Sequence, residues 1–461
     1  MVQFASLTAI NNSKTPCPVH ASLKASSTSI VHGCPGVPRS IPRIETVIEL
    51  RPANGIPFTC RSVGVELRTI QKVSVPSTIG SNDTFREYKI YEDPLIYAPP
   101  IGEFSQELLA IDIPILIPLP KDIISSGQFP HWNASTIHKL LVKITCGNSH
   151  IDELSYIESF PVVIKLYDTL PLYRQYNEPI IESRTSYDNQ VIADISLPIS
   201  SVGPKDELIV FTKIMTNALN YKINKRLRLK QLTMQVKEIL ECHEGGLPVR
   251  KEHKLYSNTQ NFEDQLLNSS GISYEFHLDF PVENDYLQLY SPNNSNFSSS
   301  QTSQSRNNSI DEEVSHSTAY FYKNRNFDKI SEGVPITHVQ GFTTSGKLFS
   351  IKYETIIKVK LNHAKDMEIH LPFTVSTYDR ISSDYLLKWI MKECQIAKMK
   401  FGKKLINKIA LTHDYDNMVN LLRNFNKPPV VYRYTRQDWV RLGFNSEAFG
   451  NNDKSLVDYI D

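Results

Sequence analysis

The chain has 461 residues, of which 40% are hydrophobic and 21% charged, with 27 prolines and a formal net charge of +1 at pH 7. That length exceeds one ordinary core and predicts two domains with tails. The near-neutral charge excludes a global drive toward nucleic acid or membrane, so a charged partner has to be met by a local patch.

Residues 1–40 are rich in Ser, Thr and Pro and read as a disordered N-terminal tail. The first residues lack the basic and apolar regions of a secretory signal, and no stretch reaches the roughly 20 apolar residues of a membrane span. Cys17, Cys34, Cys60, Cys146, Cys242 and Cys394 are scattered, without a C-x-x-C pair. They predict reduced thiols in a cytosolic chain rather than a disulfide frame or zinc site. After residue 40 strand patterns dominate. Ile44, Thr46, Ile48 and Leu50 alternate with polar neighbours, as do Val63, Val65 and Leu67.

Residues 111–120, IDIPILIPLP, are the most informative run. Ile111, Ile113, Ile115, Ile117 and Leu119 share one face of a strand, and Pro114, Pro118 and Pro120 fall on the other parity. Successive N–H groups of a strand point to opposite edges, so these prolines remove donors from one edge alone. The run predicts an edge strand, paired on one side and blunted on the other. Leu140, Val142, Ile144 and Cys146 alternate next, then Phe160, Val162, Ile164 and Leu166, before a polar stretch at about 174–190 with little pattern.

Alternation resumes with Ile272, Tyr274, Phe276, Leu278 and Phe280, and again with Met367, Ile369, Leu371, Phe373 and Val375. Between them, an Asn/Ser/Gln tract at about 291–318 reads as a disordered insertion. Antiparallel strands with one wet face predict an all-β chain of two immunoglobulin-like β-sandwiches in tandem. After about residue 383 the period becomes helical. Leu386, Ile390, Cys394, Ala397, Phe401, Leu405 and Ile409 form a stripe interrupted by Gly402, so the fold class includes a C-terminal helical tail.

Four segments carry a family resemblance: 56–68 (IPFTCRSVGVELR), 113–127 (IPILIPLPKDIISSG), 197–210 (LPISSVGPKDELIV) and 353–375, which ends MEIHLPFTV. In that order they resemble the arrestin superfamily, specifically the fungal arrestin-related trafficking adaptors, some of which are linked to sporulation. The resemblance implies an arrestin-like N-domain over 41–180 and a C-domain over 181–380. The basic helix and tail at 381–461 lie outside it. It also implies a non-catalytic, cytoplasmic adaptor, peripheral at the plasma membrane or endosomes. Such an adaptor links plasma-membrane transporters or other membrane cargo to the WW domains of a HECT-type ubiquitin ligase. The alternative is an arrestin-fold interaction scaffold, or a retromer-like cargo subunit, without a ligase link.

The ligase motif of that family, Pro-Pro-x-Tyr, does not occur. Pro428, Pro429 and Tyr432 are spaced one residue too far apart, which in a polyproline II helix turns the tyrosine by about 120°. Leu170, Pro171 and Tyr173 fit the weaker L-P-x-Y variant, with the end of a strand entering the interdomain connection as the structural alternative. Arg226, Arg228 and Lys230 at strand spacing make a basic patch suited to phosphate or an acidic tail, or simply a solvated strand face. Lys392, Lys398, Lys400, Lys403 and Lys404 suit an anionic lipid surface, or else are solvated while the apolar stripe docks. Ser309, between Arg306 and an acidic run, is a phosphorylation candidate.

Enzyme signatures are missing: there is no G-x-S-x-G, H-E-x-x-H, P-loop or G-x-G-x-x-G. Cys242, His243, Glu244 and His253 match no zinc spacing, and the reading is a polar strand end. No catalytic residue, cofactor, metal site or nucleic-acid partner is expected.

Overall fold

A computed structural model describes residues 18–443, apart from 25–29, 54–55, 78–79, 91–94, 150, 205, 218–225, 244–248, 281–340, 413–414 and 434. Its strands form four sheets arranged as two β-sandwiches. One sheet of the first sandwich has β1 (Val19–Leu23), β2 (Val31–His32), β3 (Arg43–Pro52), β8 (Ala110–Pro118) and β22 (Val430–Tyr432). The facing sheet has β4 (Phe58–Ser77), β5 (Gly80–Lys89), β6 (Leu95–Tyr97), β7 (Gln106–Leu108), β9 (Gly127–Phe129), β10 (Ala134–Cys146) and β11 (Leu154–Val162).

The second sandwich sets β12 (Ile180–Thr185), β13 (Val191–Leu197), β15 (Glu207–Thr216) and β18 (Ile272–Asp279) against a six-stranded sheet. That sheet holds β14 (Ser201–Val202), β16 (Arg228–Cys242), β17 (Val249–Leu266), β19 (Thr344–Ser345), β20 (Phe349–Asn362) and β21 (Met367–Val375). The C-terminal region is helical: α1 (Arg380–Phe401), α2 (Lys403–Thr412), α3 (Tyr415–Leu422) and, after β22, α4 (Arg436–Arg441).

The alternating aliphatics decide which faces meet. Ile44, Ile48, Ile113, Ile115 and Ile117 from one sheet pack on Val63, Val65, Leu67, Leu140, Val142 and Ile144 from the other, all buried. Ile195, Leu197, Val210 and Phe276 meet Met234, Val236, Ile357 and Leu371 in the second core. Burying a side chain of this size contributes roughly 1.5–3 kcal/mol, so each face is held by many such increments. Within the first sandwich His138 is wholly buried. Its Nε2 lies 2.9 Å from the Ile124 carbonyl and its Nδ1 2.9 Å from the Thr69 hydroxyl. A carbonyl only accepts, so Nε2 carries the proton and Nδ1 accepts from Thr69. Burial pushes this imidazole down to about 4.

Three expectations need correction. Residues 19–23 and 31–32 are strands on β3 rather than part of a disordered tail, with Val19 and Ala21 buried. The polar stretch 174–190 contains β12, an edge strand whose mostly exposed side chains blur its alternation. The single C-terminal helix is two helices, α1 and α2. Gly402 at φ 84° separates them, a left-handed value that glycine adopts without strain. Beyond the break Ile406 and the predicted Ile409 are buried, while Leu405 is half-buried. The insertion at 291–318 lies outside the described residues.

Candidate interaction surfaces

The start of α1 is fixed by two carboxylates. Asp379 caps the helix, accepting from the Ser382 N–H at 2.5 Å. Asp206 accepts from the Arg380 N–H at 3.0 Å and from the Gly203 N–H at 2.8 Å, which ties the helix to the turn following β14. Gly203 is needed there, since a Cβ would sit 2.0 Å from the Tyr378 carbonyl oxygen. Burial raises both carboxyls above the usual carboxylate range, although both accept backbone N–H groups. Their charge still complements the positive end of the helix dipole.

So anchored, α1 lies across the connection between the sandwiches. Leu386, Trp389 and Ile390 pack on Cys34, Tyr167, Leu170 and Tyr378. Tyr167 stacks on Tyr378 at 5.3 Å and meets Trp389 at 5.1 Å. The L-P-x-Y tetrapeptide is part of this layer. Leu170 and Pro171 are buried, and the Tyr173 hydroxyl donates to the Tyr167 carbonyl at 2.7 Å. Burial lifts the Tyr173 phenol well above its ordinary range. A WW domain reads an accessible polyproline II segment, so docking here would require these four residues to leave their packing.

Polar and aromatic groups also join the sandwiches directly. Phe129 of β9 meets Phe342 at 4.9 Å and Phe349 at 5.7 Å, so the second core continues into the first sandwich. The Gln71 side chain of β4 accepts from the Leu348 N–H at 3.0 Å, against Gly346, where a Cβ would fall 2.1 Å from the Gln71 amide nitrogen. Glu238 of β16 is buried and accepts from the Tyr353 hydroxyl at 2.5 Å; His131 Nδ1 of the first sandwich lies 3.1 Å away. His253 stacks on His131 at 4.2 Å. Cys242 and His253, two of the residues considered for a metal, thus separate: His253 pairs in register with Glu238, while Cys242 is buried opposite Val249; Glu244 lies outside the described residues.

The largest departure from the sequence reading concerns the β8 edge. Odd-numbered residues of β8 donate toward β3, a parity continued by the Leu119 N–H bonding the Pro42 carbonyl at 2.8 Å. Pro114 and Pro118 therefore blank the outer edge, as expected. The edge is nevertheless occupied ahead of the prolines. There β22 pairs antiparallel with β8, Val430 opposite Asp112, Val431 opposite Ile111 and Tyr432 opposite Ala110. The Tyr432 hydroxyl donates to Asp112 Oδ2 at 2.9 Å, and its ring takes the Arg51 and Arg441 guanidiniums at 5.9 and 5.1 Å. Trp439 is buried beside Tyr432, Leu109 and Ala110. The Val-Val-Tyr part of the Pro-Pro-Val-Val-Tyr segment is thus an added strand.

Between α1 and β22 the tail packs on the outer face of the same sheet, with Ile409, Met418 and Leu422 over Ile41 and Leu116. Lys400 forms an ion pair with Glu45, which also accepts from Arg43 Nε at 2.7 Å, and the Arg43 guanidinium sits 5.0 Å over the Phe401 ring. Burial works against the Glu45 carboxylate, but Lys400 and Arg43 outweigh it and hold its pKa below the ordinary value. Lys400 is exposed and at the same time tied to the first sandwich by this pair. Lys392, Lys398, Lys403 and Lys404 are exposed.

Arg226, Arg228 and Lys230 are also exposed and alternate with the buried Leu227 and Leu229. Arg226 precedes β16, the Arg228 guanidinium donates to the Asp264 carbonyl at 3.0 Å, and Lys230 sits in a bulge between Leu229 and Gln231. Ser309 lies outside the described residues. The tail strand was missed because three residues carry too little alternation; the signal that could have found it was Tyr432 and Trp439, two large aromatics in a polar tail. Among the described residues, no helix is long and apolar enough to cross a membrane.

No family model matches the chain. It is similar to the RHO1 GEF localizing protein 1 of Saccharomyces cerevisiae, 24% identical over an alignment 476 positions long that covers 90% of this chain and 92% of that protein.

Proposed function

We propose that the chain is a non-catalytic interaction scaffold that places a guanine-nucleotide exchange factor of a Rho-type GTPase at its site of action. The observation that carries this reading is the extent of the similarity. It runs over 90% of this chain and 92% of a relative named for localising such a factor, so it takes in most of both sandwiches. A fold of sheet faces, sheet edges and a helix-covered seam suits recognition by surface complementarity. The test is a pull-down of Rho-type exchange factors from fungal extract with the purified full chain, followed by reconstitution with the purified factor. Capture with micromolar or tighter affinity supports the proposal. Failure of the purified pair to associate, with the chain shown to be folded, rejects it.

A second reading is the arrestin-like adaptor of a HECT-type ubiquitin ligase and membrane cargo. It is favoured by the ordered family-like segments and the two-sandwich fold. The burial of Leu170 and Pro171 and the bonded Tyr173 hydroxyl weigh against it. A ligase WW array that binds the wild type and not Tyr173→Ala would restore it; absence of binding by the wild type would remove it.

A further inference from the structure

We infer that the outward face of α1 is a contact surface for anionic phospholipid bilayers. This goes beyond the scaffold proposal and stands without it.

The buried side of α1 carries Leu386, Trp389, Ile390, Ala397 and Phe401. At 3.6 residues per turn, Ile381, Lys388, Met391, Lys392, Lys398 and Met399 fall on the opposite side. The three apolar members are 64%, 65% and 79% exposed, in the order Ile381, Met391, Met399. Over residues 380–412 there are eight basic residues and two acidic ones. Both acids are engaged. Asp384 holds Lys388 at 3.0 Å, and Glu393 accepts from the Gly33 N–H at 3.3 Å. Lys400 is held by Glu45. Lys392 and Lys398, with Lys403 and Lys404 just past the helix break, are exposed and form no ion pair among the described residues.

This pattern selects the occupant. The exposed apolar side chains stand eight to ten residues apart, which is about 12–15 Å along a helix, with lysines between them. That spacing leaves no contiguous apolar centre of the kind that anchors a protein interface. A headgroup layer accepts such dispersed insertion. The Met and Ile side chains enter the acyl boundary, while the lysine stems run along it and place their ammonium groups at the phosphates. The positive excess, without local acids to oppose it, complements phosphatidylserine or phosphoinositide headgroups, and several lysines acting together supply what one does not.

The experiment sediments the purified full chain with phosphatidylcholine vesicles and with phosphatidylcholine–phosphatidylserine vesicles over a range of salt. The wild type is expected to bind the anionic vesicles, with partitioning that falls as salt rises. Lys392→Ala/Lys398→Ala is expected to bind roughly thirtyfold more weakly, the contribution of two lysines at a charged surface. Met391→Ser/Met399→Ser is expected to lose the binding that persists at high salt. All four side chains are exposed, so an unchanged thermal transition verifies that the variants are folded. The inference is overturned if the wild type ignores anionic vesicles, or if the lysine variant binds them like the wild type. Loss of a protein partner by the methionine variant, with no vesicle binding by the wild type, would overturn it in favour of protein docking.

Discussion

The two sandwiches are alike in architecture and differ in what covers them. The first has its outer sheet overlaid by α2 and α3, one strand edge extended by β22, and β1 and β2 laid along β3. The second carries the 18-residue β17 at a sheet edge, with β16 as its ladder partner and most of its side chains exposed or half-buried. The first and last described strands, β1 and β22, thus both belong to the first sandwich. The difference separates a region whose surface is largely committed to the protein's own tail from one whose β17 edge has no paired strand among the described residues, and it places α1 as the strap between them.

Perturbing the seam has the largest expected effect. Phe129 of the first sandwich inserts into the second core, and Phe129→Ala should cost about 3–5 kcal/mol, as other buried aromatic truncations do. If the two sandwiches unfold as one unit, urea denaturation of the wild type shows one transition and the variant shows two; two transitions in the wild type would break the comparison at its root.

Acid separates the regions next. His138, in the first sandwich, has a folded pKa of about 4, below the roughly 6.5 of an unfolded histidine. The folded state holds fewer protons between these values, so stability falls as pH drops from about 6.5 to about 4, by about 3 kcal/mol in all. A His138→Gln variant should lose this slope, measured as melting temperature against pH. Glu45, also in the first sandwich, has a lowered pKa, so its contribution is present above the unfolded carboxylate value and is lost on further acidification.

Tail docking is a smaller term. Tyr432→Ala should release β22 and speed amide exchange at Leu109, Ala110 and Asp112 by roughly thirtyfold, about 2 kcal/mol of local protection, leaving Ile111, β16 and β20 unchanged. Equal changes in both sandwiches would mean that the tail supports the whole molecule. Tyr173→Phe removes one hydrogen bond beneath α1 and should cost about 1 kcal/mol. The smallest effect belongs to Lys392→Ala/Lys398→Ala, within about 0.5 kcal/mol of wild type in chemical denaturation, because these side chains are solvated.

Much of the fold was legible in the alternation. Ile44–Ile48–Leu50, Ile113–Ile115–Ile117 and Met367–Phe373 each occupy the predicted face and are buried. Strands at the margins were harder. In β12 the side chains are mostly exposed on both faces, and β1 and β2 lie in a segment whose composition suggested disorder. Of the candidate sites, the exposure of Lys392, Lys398, Lys403 and Lys404 was legible from helix phase. The burial of Leu170 and Pro171, the Lys400–Glu45 pair and the bulge at Lys230 were not, because each depends on a neighbour distant in sequence.

The strand-rich class, the faces that go inward and the proline-blunted outer edge of β8 follow from period-two burial and the missing proline N–H, which are local facts of the chain. Long-range packing alone brings a three-residue strand some 320 positions away onto that same β8 edge, and lays an L-P-x-Y tetrapeptide beneath α1. The reason is physical. A strand that short is stabilised by the hydrogen bonds and aromatic contacts of its partner rather than by its own periodicity, so its place exists only once the sheet it joins has formed.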